Sequence, residues 1–105
     1  MADLESRRER IIRLLSSTRE PLDAQQIARE LGLSPREARL IYEDLMHIAR
    51  SLRNGPLTLY MVPPTCKSCG YVFKDLKRLR RPSRCPRCKS QRISPPRFLI
   101  SAEKL

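Results

Sequence analysis

No apolar run in this 105-residue chain reaches the roughly 18 residues that a membrane-spanning helix needs. The N-terminal stretch MADLESRRER has no apolar core of the kind a secretory signal requires, so a cytoplasmic protein with reduced thiols is expected. Asparagine occurs once, a scarcity that fits a thermophile's composition. With a single histidine and no carboxylate pair or phosphate-cradling loop, the chain offers no catalytic constellation, and an enzyme is not expected. Hydrophobic residues make up 40%, too many for a disordered tail and enough for one small domain, or a domain with an appendage.

Acidic residues are scarce in one half only. Residues 1–56 carry ten Arg/Lys against nine Asp/Glu, whereas residues 57–105 carry twelve against two. The formal charge of +11 therefore divides as +1 and +10. A strongly basic half suggests a polyanionic partner, and arginine, which dominates, suits phosphate through its planar fork of donors. A merely solubilising surface is the plainer reading.

The first half patterns as three helices. Leu4, Ile11, Ile12, Leu14 and Leu15 place an apolar stripe on a helix from about Asp3 to Ser17, with arginines on its other face. Asp23 and Gln26 form a capping box for the second helix, flanked by a Leu22–Ile27 staple and closed by Gly32. Ser34, Pro35 and Glu37 open the third, whose stripe runs through Ala38, Ile41, Leu45, Ile48 or Ala49, and Leu52 to the turn at RNGP. Two capped helices joined by a glycine turn match a helix-turn-helix. The third is then a recognition helix, with Arg36 and Arg39 near its exposed start and Glu37, Glu43 and Asp44 offsetting them. The plainer reading is a three-helix core that binds protein or nothing. His47 lies on this helix among packed residues and reads as structural.

LTLYMV, residues 57–62, and RFLI, residues 97–100, read as an antiparallel strand pair, each bordered by a double proline. Between them Cys66, Cys69, Cys85 and Cys88 form C-x2-C-x15-C-x2-C, a spacing that gives a tetrahedral four-sulfur shell. One structural zinc is expected. Iron can substitute, and two disulfides are the alternative in a hyperthermophile. The shell is complete, so the metal has no open position for catalysis. Basic side chains crowd the same segment at Lys74, Lys77, Arg78, Arg80, Arg81, Arg84 and Arg87, against Asp75.

The helix-turn-helix IARELGLSPREA, the strand LTLYMV, CKSCGYVF, CPRCKS and the closing RFLI together resemble an archaeal family of predicted transcriptional regulators, over nearly the whole chain. In that family a rubredoxin-like zinc ribbon replaces the wing loop of a winged helix. The resemblance implies an α+β fold: a three-helix winged helix-turn-helix with a two-stranded sheet and an inserted ribbon. It maps the four cysteines onto the family's metal ligands and implies a DNA-binding role. The expected division is a core with the first wing strand over 1–62, the ribbon over 63–96, and the returning strand and C-terminus over 97–105. Double-stranded DNA is the expected partner. An acidic protein of the transcription machinery and structured RNA are the alternatives. A dimer would demand sites of inverted symmetry.

Overall fold

The structure, a computed structural model, describes residues 5–74 and 79–103. In chain order the described residues form α1 (Arg7–Ser17), α2 (Ala24–Leu31), α3 (Pro35–Ala38), α4 (Ile41–Ser51), β1 (Thr58–Val62) and β2 (Arg97–Ser101). The fold is α+β: four helices, a two-stranded antiparallel sheet, and a cysteine-bearing ribbon between the strands. No helix among the described residues is long and apolar enough to cross a membrane.

Local chemistry sets the helix starts. Ser6, Asp23 and Ser34 each accept a backbone N–H three residues on, and Glu9, Gln26 and Glu37 return the bond to the cap backbone. Helix α1 thus begins at Arg7, later than the Asp3 expected from its apolar stripe, because Ser6 and Glu9 supply the cap. Asp3 and Leu4 lie outside the described residues. Gly32 ends α2 in the left-handed region at φ 63°, where an L side chain would be strained.

The expected single third helix is two. Arg39 and Leu40 separate α3 from α4, and the Leu40 N–H bonds back to the Glu37 carbonyl at 3.0 Å, a three-residue reach. Such a tightened turn eclipses residues three apart. Ala38 and Ile41 both still face the core, as they would on one continuous helix. Ile11, Leu15, Ile27, Ile41, Leu45 and Ile48 close over Phe98 and Ile100 of β2. The register pairs Met61 with Phe98 and Leu59 with Ile100. The free edge of β2 is bridged by Leu22, whose N–H donates to the Phe98 carbonyl at 2.9 Å and whose carbonyl accepts from the Phe98 N–H at 2.8 Å.

Three α1 arginines are engaged inside the molecule. Asp44 is fully buried, and its carboxylate accepts from the Arg7 guanidinium through both oxygens and from Arg8 Nε at 2.9 Å. Arg10 donates to the Leu31 carbonyl at 2.6 Å. Asp44 therefore does not offset Arg36 and Arg39 on the surface, because α4 turns it inward onto α1. His47 is corrected in the opposite sense: it is exposed, since α4 buries Asp44, Leu45 and Ile48 and points position 47 away.

Burial raises the Asp44 pKa, but the bonds and charges of Arg7 and Arg8 outweigh it and hold the carboxyl below its ordinary value. A depressed folded pKa contributes stability that is complete above the unfolded value and is lost as pH falls through the folded one. Asp44→Ala should cost about 1–3 kcal/mol at neutral pH, since the two arginines are part-exposed and can rehydrate. Below about pH 4 the gap between wild type and variant should narrow. Denaturant midpoints followed by helical circular dichroism check this, and coincident midpoints at neutral pH would sink it.

Candidate metal centre and nucleic-acid interface

The ribbon consists of two similar turns facing each other. In the first, the Gly70 N–H donates to the Cys66 carbonyl at 2.9 Å and the Cys66 N–H to the Tyr71 carbonyl at 2.8 Å. In the second, Lys89 N–H donates to the Cys85 carbonyl at 2.8 Å and Cys85 N–H to the Ser90 carbonyl at 2.9 Å. Gly70 and Lys89 occupy equivalent places and share a left-handed backbone, at φ 81° and 65°. Bridges from Thr65 to Val72 and from Cys66 to Ile93 tie the turns into one unit. Its small core holds Cys66, Cys85, Ile93 and Phe73, with Tyr71 edge-on to Phe73 at 5.0 Å.

The four sulfurs all lie within 4.8 Å of one another. Cys66 and Cys88 are 3.5 Å apart and Cys69 and Cys85 3.7 Å apart. Metal–sulfur bonds of roughly 2.3 Å in a tetrahedron place sulfurs about 3.8 Å apart, so the spacing suits zinc. All four cysteines are free, so the disulfide alternative does not describe this arrangement. The thiols also compete for protons. Burial opposes ionisation of Cys66, but the amides of Cys69 and Ser68 and the neighbouring thiols outweigh it and draw its pKa down to about 6. Cys85 is lowered in the same manner, by the amides of Cys88 and Arg87 against burial. The amide at Ser90 favours the Cys88 thiolate, yet burial and the three other sulfurs prevail and push it up to about 12. Four thiolates cannot share so small a volume unless a cation neutralises them, and Zn2+ leaves the set at minus two. The donor set is that of a structural zinc ion, with His47 outside it.

A second feature joins ribbon and helices. Leu79 packs against the helical core, and the neighbouring Arg80 and Arg81 come beside Tyr42 of α4. Between the ribbon and α2–α4 lies a cleft of about 1040 Å³, bordered by Arg29, Arg39, Lys67, Arg80 and Arg81. Of the basic residues singled out in the sequence, Arg39, Arg80 and Arg81 meet here. Arg36, Lys74, Arg84 and Arg87 are exposed away from the cleft lining. Lys77 and Arg78 lie outside the described residues. Arg29 and Lys67 were not expected. Lys67 sits within the first cysteine pair, and the exposed face of α2 was the one available sign of Arg29.

Purified protein should contain one zinc per chain. Chelation should unfold residues 65–94 while the helices persist on their own core. Metal analysis with residue-resolved NMR checks both halves of the statement. Ribbon signals unchanged in demetallated protein would overturn it.

None of the curated proteins matches the chain. Two family models do: "PF0610-like, N-terminal" over residues 6–60 and "PF0610 rubredoxin-like zinc beta-ribbon domain" over residues 63–103. The solution NMR structure of protein PF0610 from Pyrococcus furiosus is similar at 33% identity and a TM-score of 0.73, over 100% of this chain and 95% of that one. With four clustered cysteines at the ribbon's centre and matches along nearly its whole length, the chain belongs to the PF0610-like family, a helical N-terminal part joined to a rubredoxin-like zinc ribbon.

Proposed function

We propose that this protein is a non-enzymatic, DNA-binding transcriptional regulator of winged helix-turn-helix type. The supporting observation is the meeting of cations from both halves: Arg39 at the end of α3 stands across one cleft from Arg80 and Arg81 of the ribbon. Helices α2 and α3, joined through Gly32, have helix-turn-helix order. The Leu22 bridge, β2 and β1 supply the small sheet that a winged helix sets beside its helices. Zinc holds the ribbon's cations in fixed positions, where an unfolded loop would spread them. In this reading α3 orients the protein and reads bases, and the ribbon supplies contacts to phosphate.

The α1 arginines strengthen the reading indirectly. Arg7, Arg8 and Arg10 are engaged in the molecule's own contacts, and the helical half as a whole carries only +1. In this reading most of the phosphate affinity comes from residues 57–105, which carry +10 of the +11 net charge.

Two outcomes are expected. Arg36→Ala or Arg39→Ala should cost about 1–3 kcal/mol on the preferred duplex, selected from random sequences, and little on others. Equal loss on all sequences would assign these arginines to phosphate. Neutralising Arg80, Arg81 and Arg84 together should weaken binding on every sequence and flatten the salt dependence by up to about 3 in slope, near 0.9 for each phosphate that is no longer neutralised. A zinc-loaded triple variant with an unchanged slope would turn the ribbon away from DNA, toward an acidic protein or RNA.

A further inference from the structure

The cleft between ribbon and helices differs from a plain basic surface in three respects. It is a shallow, open cleft with a volume of about 1040 Å³, slightly more than a small ligand needs. Ala24, Ala28, Ala38 and Pro95 give it an apolar wall of short side chains, which leaves room for a flat ring. Its lining also includes the carboxylate of Asp23 and the amide of Gln25, next to the cations.

Asp23 bears most on the choice of ligand. A carboxylate accepts hydrogen bonds and donates none, so Asp23 calls for a ligand that carries donors as well as anionic groups. One Asp23 oxygen caps α2 through the Gln26 N–H at 2.8 Å, and a carboxylate has further acceptor sites. The half-buried Tyr42 stands in the fields of Asp23, Arg81 and Arg80; burial first, then Asp23, raises its pKa, so its hydroxyl stays protonated at neutral pH. A ligand matching this lining carries clustered negative charge, an apolar ring and N–H or O–H donors. A nucleoside polyphosphate has those parts.

We infer that the cleft bordered by Arg39, Lys67, Arg80 and Arg81 is a binding site for a small nucleoside polyphosphate-like ligand, its phosphates on the cations and its ring and donors toward Ala28 and Asp23. The site joins both halves of the protein, so an occupied cleft fixes the ribbon against α2 and α4. The ligand's phosphates also cover Arg39, Arg80 and Arg81.

The test is titration of the zinc-loaded full chain with ATP, without DNA, followed by calorimetry and amide chemical shifts. This readout is independent of the DNA-binding reading, so either can fail alone. ATP should bind saturably with Kd of about 1 mM or tighter, moving signals at α2, Tyr42 and Lys67. Arg39→Ala and Arg81→Ala should each weaken it roughly tenfold, while Arg50→Ala, outside the cleft, should not. Inorganic tripolyphosphate should bind more weakly than ATP. Asp23→Ser keeps a capping oxygen and removes the charge, and it should narrow that difference. Absence of saturable binding, binding indifferent to the cleft variants, or tripolyphosphate as tight as ATP would each overturn the inference.

Discussion

The pairing of Thr58–Val62 with Arg97–Ser101 is the constraint on which both halves of this protein depend. Phe98 and Ile100 on β2 are buried under the helices, so the sheet is one wall of the helical core. The same two strands send the chain out at Val62 and take it back at Arg97, opposite each other in the register. Closing residues 63–96 between those points costs only about 2 kcal/mol more than closing a four-residue hairpin, because closure entropy grows logarithmically. The buried Pro64 and Pro96 stiffen the junctions where the ribbon leaves and rejoins.

Charge is distributed according to what each half does with it. In the helices it is structural: Arg7 and Arg8 neutralise a buried aspartate, and Arg10 closes the end of α2. In the ribbon Arg84 and Arg87 stay exposed, and a metal–thiolate centre holds their backbone where apolar burial alone could not. The cleft is where the two regimes meet, because Leu79 anchors the ribbon arginines against the helical core.

Much of this was legible in the sequence because its causes are local. A capping box spans three residues, a C-x2-C turn likewise, and both appeared where Asp23, Ser34 and the cysteines placed them. Apart from the local Ser6–Glu9 box at the start of α1 and the break after Ala38, the features that escaped depend on distant partners. Asp44 looks like any exposed acid on a helix until α1 is seen to lie across it, 36 and 37 residues away in sequence. The Leu22–Phe98 bridge joins a single residue to a strand near the other end of the chain, and one residue has no periodicity to read. The break after Ala38 has no glycine or proline to announce it.

The two cysteine turns are close copies, yet they are not equally comfortable. Gly70 adopts its left-handed backbone freely, whereas Lys89 does so with a side chain that disfavours it by roughly 1 kcal/mol. Cys88, beside Lys89, is also the most exposed of the four ligands. Strain and solvent access thus coincide on one side of the metal shell. The two turns are thus alike in hydrogen bonding and unlike in ease: the first is held by a glycine and a buried Cys66, the second by a strained lysine and an exposed Cys88.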